Sequence, residues 1–569
     1  MASSATLTTT HLPHLRTILN KWNETRPPSS GFSDAPSTEN ASKEVIVAFR
    51  TRPPPPNEAT DKFQPHLDAK DASAAETVEF CAGITAISAV PGVFVTHVPG
   101  MKWSGPTLVH KRYEANLGFG PDIQNEEVYQ RTVIAQDILT LALSGGVACI
   151  LAYGQTGSGK TFTMESLEHR VARDLFEHAR IVGERLLAQS RMVDTLDTAG
   201  VFEISATFLE LMGKRASDLL ETPETVDAQG NPMRTEVPIR EDNVGNVQPR
   251  LISTPVRSSA ELEALIQKAL SHRRTAATLR NAASSRSHAV LTITTKNTLF
   301  PYANEGQLIL MDLAGSERYE DSKDHDKQRM DEVRENNKGL MNLKECVRAK
   351  AKMASEDGFV HIPWRAHKLT MLLKPIFDVE SRQPSKALVI AHVSPHIQDS
   401  VHSTNTLSYA APFVAVPPKP RGPAAYDAED PRTWNHAQTA AWLTAQFAAA
   451  LRPSPADPAP SGTDVDLGVD VSTICPPGAT AANLGRLYTT EFVARCLAAR
   501  TAALSEEKLT AVALDVIGTL FYMLMIAKNR TRKAIMESRT RVTDTSLHTE
   551  EATARRATQV SAARLKLRR

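Results

Sequence analysis

Eight consecutive residues, Gly154-Gln155-Thr156-Gly157-Ser158-Gly159-Lys160-Thr161, have the types and spacing to hold a string of phosphates. Glycines at 154, 157 and 159 let the backbone curl until its amides face phosphate oxygens. Lys160 reaches the terminal phosphates, and the Thr161 hydroxyl offers a ligand to Mg²⁺. The apolar run Gly146–Gly154 predicts a buried strand before the loop, and a helix follows it, adding partial positive charge at its N-terminus. A strand, a glycine loop and a helix are the setting in which G-x-x-x-x-G-K-[ST] binds a nucleoside triphosphate rather than forming a chance turn.

Two further segments narrow the chemistry. Asn281-Ala-Ala-Ser284-Ser285-Arg286-Ser-His288 precedes the apolar run Ala289–Thr295, and Asp312-Leu-Ala-Gly315-Ser-Glu317 closes the run Gln307–Gly315. An acid at the end of a strand, as Asp312 is, can hold Mg²⁺ through water. Gly315 can offer its amide to a γ-phosphate. Arg286 and Glu317 carry opposite charges a few residues past two strand edges, so a reversible ion pair between them would close the site. Phosphoryl transfer to water asks mainly for such positioning and electrostatics.

The elements that must position these groups are legible as runs. Val45–Phe49, Gly146–Gly154, Ala289–Thr295, Gln307–Gly315 and Ala387–Ser394 are strand-like and alternate with helical segments up to about Val416, predicting an α/β domain around a covered central sheet. Residues 1–42, rich in Ser, Thr and Pro after a helical candidate at Leu15–Trp22, read as a disordered arm. Pro/Ala-rich stretches at 417–432 and Arg452–Gly462 read as linkers. Helical candidates at Trp434–Leu451, Thr489–Ala503 and Glu506–Arg530 predict a small helical region over 433–536. A basic tail, 537–569, follows.

Composition excludes several classes. The 569 residues carry a net charge of +1, so no partner is implied by overall charge, and no DNA or RNA partner is expected. Five cysteines without C-x-x-C spacing argue against a disulfide framework or a zinc site. The longest uncharged apolar stretch near the C-terminus, Val516–Ala527, is too short to span a bilayer and reads as a buried helix, and no sustained heptad marks a coiled coil.

Taken in order, the three segments resemble the P-loop, switch I (N-x-x-S-S-R-S-H) and switch II (D-L-A-G-S-E) of kinesins. The resemblance runs from about Lys43 to Ala411 and implies the kinesin motor fold, a P-loop NTPase with a mixed, mostly parallel sheet and helices on both faces. It implies ATP and Mg²⁺, with Ser284 and Ser285 near the γ-phosphate, Ser285 also at the metal, and Asn281 steadying switch I. Arg50, Arg52 and Pro53 resemble the R-x-R-P segment flanking the adenine, Tyr129 the tyrosine beside it, and Phe162 stands where kinesins often carry a histidine against the base.

The resemblance also implies a tubulin-binding face in the cytoplasmic microtubule cytoskeleton. His361–Thr370 resembles H-x-P-[YF]-R-x-S-K-L-T, with Trp364 and His367 as substitutions and Arg365 and Lys368 keeping the charge. Glu335–Lys352 resembles the switch II helix, its I-N-K-S-L altered to Asn337-Lys338-Gly339-Leu340. Lys338, Lys344, Arg348, Lys350 and Lys352 give it a basic surface suited to acidic tubulin. Leu343–Ala349 is close to the L-K-E-C-I-R-A of the internal-motor, microtubule-depolymerising class. That class carries a Lys-Val-Asp finger, and here Lys102 is followed by Trp103-Ser104. Ser408 replaces an arginine of the last motor helix. Pro412–Gly422 is too proline-rich for a docking neck strand, so processive two-headed walking is not expected. Thr433–Phe447 weakly resembles the opening of a SAM-type helical module. Three readings stay open: an ATPase that regulates microtubule ends, a translocating motor, and a non-motile microtubule-binding scaffold with a slow or degraded cycle.

Overall fold

The computed structural model describes residues 4–26, 43–54, 60–63, 76–190, 200–223, 225–226, 232–241, 247, 249–279, 286–299, 304–316, 327–352, 360–377, 383–415, 426–451, 469–500, 504–531 and 533. The chain divides into a larger unit of residues 1–298, 304–354 and 362–420 and a smaller one of residues 421–569 with the segments 299–303 and 355–361.

Runs of Val, Ile and Leu with no polar side make strands buried on both faces. Val45–Thr51, Val147–Gly154 and Ser385–Val393 are buried at every position. They lie parallel in the order Gly306–Asp312, Val147–Gly154, Ser385–Val393, Val45–Thr51, Leu117–Phe119. Beyond Gly306–Asp312 the sheet continues antiparallel through Ser287–Asn297, Phe202–Met212 and Arg215–Asp218. The sheet is therefore mixed, as the kinesin resemblance implies.

Successive residues along a strand face opposite sides, and two cores result. Ile46, Ile150, Leu310 and Leu388 pack with Leu167, Val171 and Leu175 of helix Lys160–Ser190 and with Leu262, Ile266 and Leu270 of helix Ser259–Leu279. Val47, Leu151, Met311 and Val389 pack with Leu340 and Leu343 of helix Lys327–Lys352 and with Leu407 of helix Ser400–Ala410. Register sets Asp312 beside Ala152 and His392 beside Gly154, so the motifs meet at the carboxyl ends of parallel strands.

A smaller antiparallel sheet of Ile84–Ala89, Gly92–Lys102 and Gly105–Ala115 flanks this core. Its long hairpin turns at Trp103-Ser104 with Lys102 opposite Gly105, whose φ of +113° suits glycine. Trp103 at the tip is fully exposed.

The N-terminal segment departs from expectation. Ser4–Thr25 is helical with a kink at His11, although Pro13 lies within it. Leu12, Leu15 and Leu19 are buried with Cys81, Leu108 and Ile397. Trp22 stacks on His110 at 5.1 Å and meets His97 edge-on at 4.6 Å. The two imidazoles share a hydrogen bond of 2.7 Å. The apolar spacing at 12, 15, 19 and 22 outweighs the polar composition, because a one-sided stripe can bury itself on a neighbour. Residues 27–42 of the expected arm lie outside the described residues.

The smaller unit has its own core. Helices His436–Leu451, Thr489–Ala498 and Glu506–Thr531, with short turns at Val471–Ile474 and Ala481–Leu484, enclose Trp434, Leu443, Phe447, Phe492 and Ile517. The apolar run read as a short buried helix is the second half of the 26-residue helix Glu506–Thr531, which by length and composition alone could cross a membrane. One face (Leu509, Val512, Val516, Leu520) is buried, while Leu514, Tyr522 and Met525 are exposed, so only that face of the helix enters the core. The Pro-rich stretch within this region and the basic tail lie outside the described residues.

All five cysteines are buried, and no two of them are joined in a disulfide.

Candidate nucleotide site

The glycine loop leaves its strand at Gly154. A Cβ there would lie 2.2 Å from the His392 carbonyl oxygen, and φ is +154°. Gly157 and Gly159 also take positive φ, +75° and +96°. No side chain could follow this path without strain. Ser158 Oγ donates to the Gln155 carbonyl at 2.7 Å, and buried Lys160 donates through Nζ to the same oxygen at 2.9 Å. The lysine therefore lies across the loop that it would share with a phosphate.

Thr161 Oγ1 donates to Asp312 Oδ2 at 2.8 Å, joining the first motif to the third. Asp312 Oδ1 is buried with no hydrogen-bond partner among the described residues. A buried carboxylate oxygen left over beside a threonine hydroxyl fits the water-mediated hold on Mg²⁺ expected of this pair. Thr161 and Asp312 are the described residues that would hold the metal, which would supply positive charge to offset that of the phosphates.

One participant went unrecognised in the sequence. Arg273, in helix Ser259–Leu279, donates to Asp312 Oδ2 at 2.7 Å and to the Ser287 carbonyl at 3.2 Å, with both charged side chains almost fully buried. It ties Asp312 to Ser287, where switch I runs into strand Ser287–Asn297. Its signal was the helical stripe Leu262, Ile266, Ala269, Leu270, on which position 273 falls. Glu168, two turns along helix Lys160–Ser190 from Thr161 and on the same face, is also buried. Desolvation, reinforced by Asp312 and opposed by Arg273, pushes its carboxyl up to about 8.

The expected base-binding residues separate. Phe162 is 70% exposed in the first turn of the helix, its ring free to stack. Arg52 Nε donates to the Gly157 carbonyl at 2.6 Å, and Pro53 is exposed. Arg50 is buried instead: its Nη1 donates to Thr163 Oγ1 at 2.7 Å, bracing the helix behind the loop, and burial, with Arg170 adding to it, lowers its pKa to about 10. Tyr129 is wholly buried with Arg173 5.7 Å from its ring centre, so it presents no face to a base. Both corrections have one cause: the residues precede or follow apolar positions that the core claims first. Asn281, Ser284, Ser285 and Glu317 lie outside the described residues, as does any ion pair of Arg286 with Glu317. Gly315 lies next to Ser316, whose amide donates to the Gly154 carbonyl at 3.1 Å.

From the site, contacts run outward to helix Lys327–Lys352. The Ala314 amide donates to His288 Nδ1 at 3.0 Å, and burial, with His367 and Arg273 nearby, pushes that imidazole down to about 3, keeping it neutral. Asn336 on the helix donates to the Arg286 carbonyl at 2.5 Å. The family described as Kinesin motor domain matches residues 101–415. The chain belongs to the kinesin family. It is 29% identical to the diatom spindle kinesin-1 of Cylindrotheca fusiformis over 69% of this chain and 54% of that one. It is 35% identical to kinesin-like protein KIN-13B of Arabidopsis thaliana over 51% of this chain and 38% of the relative. With KIN-5B of the same plant it shares 33% over 53% and 28%. The chain thus spans about half or less of the length of these relatives. A solved motor domain of the Kar3-like kinesin from Ashbya gossypii aligns over 65% of this chain and 99% of that one at 21% identity, with a TM-score of 0.44.

On this kinesin the expected track-binding cations take different settings. Lys338 and Arg348 are exposed. Lys344 Nζ lies 5.2 Å from the Tyr409 ring centre, and the Tyr409 hydroxyl donates to the Leu340 carbonyl at 2.7 Å. Arg365 is bidentate to Glu241, at 2.7 and 3.0 Å, and Lys368 lies 3.6 Å from Glu236. Lys350 is not a surface cation. It is buried with Glu44 at 3.2 Å and donates to the Ile376 carbonyl at 3.0 Å. Trp364 packs beneath Arg365 and Lys374, 4.0 and 4.8 Å from its ring centre. Ser408, in place of the usual arginine, shares a 2.8 Å hydrogen bond with Tyr113.

Proposed function

We propose that this chain is a microtubule-binding ATPase motor of the cytoplasmic cytoskeleton, coupling ATP hydrolysis with Mg²⁺ to movement along microtubules or to regulation of their ends. The observation that carries the reading is the 2.8 Å contact between Thr161 and Asp312, which closes the P-loop on switch II where the metal and γ-phosphate belong. Lys160, Thr161, Gly315 and Asp312 supply the described part of the phosphate and metal set, with Ser284, Ser285, Arg286 and Glu317 assigned to water positioning and closure. Lys338, Lys344, Arg348, Arg365 and Lys368 are the tubulin contacts.

A complete P-loop and both switch motifs weigh against the scaffold reading, since a chain that only bound the lattice would have no use for them. The test measures ATP turnover with soluble tubulin, ordinary microtubules and stabilised microtubules while imaging filament length. Stimulation with shrinking ends makes this an end-regulating kinesin despite Trp103-Ser104. Stimulation by the lattice alone makes it a lattice motor. Lattice binding without stimulation defeats the proposal.

A further inference from the structure

Two departures from the kinesin pattern fall on one contact. Gly339 stands for the serine of N-K-S-L, and His367 for the serine of R-x-S-K-L-T. A Cβ at position 339 would lie 2.6 Å from His367 Cε1 and 2.8 Å from its Nδ1. The imidazole occupies the notch that the glycine leaves. Glycine inside a helix is destabilising against alanine, and the buried ring is the neighbour that uses the space.

The ring also meets a neighbour at each nitrogen. Nδ1 accepts the Leu369 amide at 3.1 Å, capping the turn Lys368–Leu372, so the neutral ring's proton sits on Nε2. Nε2 lies 3.5 Å from Glu335 Oε1, one helical turn before Gly339. The next residue, Asn336, holds the Arg286 carbonyl on the nucleotide side. One turn of helix therefore grips the end of switch I through Asn336 and meets the Lys368 segment through Glu335 and Gly339. Asn342, a turn further on, adds a 2.7 Å bond to Thr370.

We infer that His367, keyed into Gly339, is a positioning residue that makes helix Lys327–Lys352 and the tubulin-facing segment Arg365–Thr370 move as one body, coupling the nucleotide state to the track. This rests on the proposed microtubule-stimulated ATPase. Contacts of this kind couple by about 0.5–3 kcal/mol, or roughly two- to over a hundredfold. The inference concerns stimulation, because neither residue touches nucleotide.

The test compares the full chain with Gly339→Ser, His367→Asn and the double variant, reading basal turnover, turnover at saturating microtubules, and melting temperature. Asparagine keeps a capping oxygen for the Leu369 amide but empties the notch. Each single variant should lose at least about fivefold in the ratio of stimulated to basal turnover, with basal turnover held within about twofold, and the double variant should regain the parent ratio. Losses that add in the double variant, basal turnover falling in step with melting temperature, or single variants matching the parent would each overturn the inference alone. A parent chain that microtubules do not stimulate would defeat the proposed function, and the inference with it. Should Gly339→Ser fail to fold, the double variant must restore folding and His367→Asn must still lose stimulation; either failure overturns the inference.

Discussion

Glu168→Gln isolates one buried proton beside the phosphate site without changing shape. In the folded protein the carboxyl is raised from 4.5 to about 8, chiefly by burial and secondarily by Asp312. A raised folded pKa means the native state holds the proton more tightly than the unfolded chain. The stabilisation is complete below about pH 4.5 and drains away as pH climbs through 8. At 1.36 kcal/mol per pKa unit, the parent should lose about 2.5 kcal/mol more than the glutamine variant between pH 6 and pH 8.5. Urea unfolding of the nucleotide-free protein, followed by far-ultraviolet circular dichroism at four pH values across that range, reads the difference as diverging midpoints. Parallel curves for parent and variant would refute the reasoning. They would mean that Arg273 holds Glu168 ionised in the fold.

Three more outcomes follow from the same geometry. Arg273→Ala, by removing the partner of the acid assigned to Mg²⁺, should lower basal ATP turnover or Mg²⁺ affinity by about 10- to 100-fold, read by Mg²⁺ titration of turnover. Lys350→Met should destabilise the larger unit by about 3–5 kcal/mol through the stranded Glu44 charge, while adding Glu44→Leu should recover most of it, read in chemical denaturation. Phe162→Ala should raise the KM for ATP by about two- to tenfold with no change in melting temperature, and Tyr129→Phe should leave that KM unchanged.

Much of the site was legible because its constraints are local. Gly154, Gly157 and Gly159 announce the loop through backbone conformations that only glycine takes easily, and Asp312 announces itself by ending an apolar strand. The five strand-like runs match observed strands within a few residues, since continuous hydrophobicity has one economical use in a covered sheet. What escaped depends on register and partners. Arg273 and Arg274 are adjacent in sequence, yet one is buried against Asp312 and the other pairs with Glu165 at the surface. Only the phase of the helix separates them. Lys350 looked like one more cation on a basic helix until its partner, 306 residues earlier, was in view. Gly339 and His367 read as two independent losses of serine, although each explains the other.

The N-terminal helix bears on how a minimal motor is cut. Trimming to the first strand at Val45 would look safe on paper, because the motifs all lie beyond it. It would also bare the seat of Leu12, Leu15 and Leu19, leaving Leu108 and Ile397 wet and uncovering the thiol of Cys81. A trimmed protein would then carry a sticky, oxidisable patch on the lobe that bears the Trp103 finger, and pull-downs or filament bundling seen with it would report the cut. Truncations that keep Ser4–Thr25 avoid that artefact.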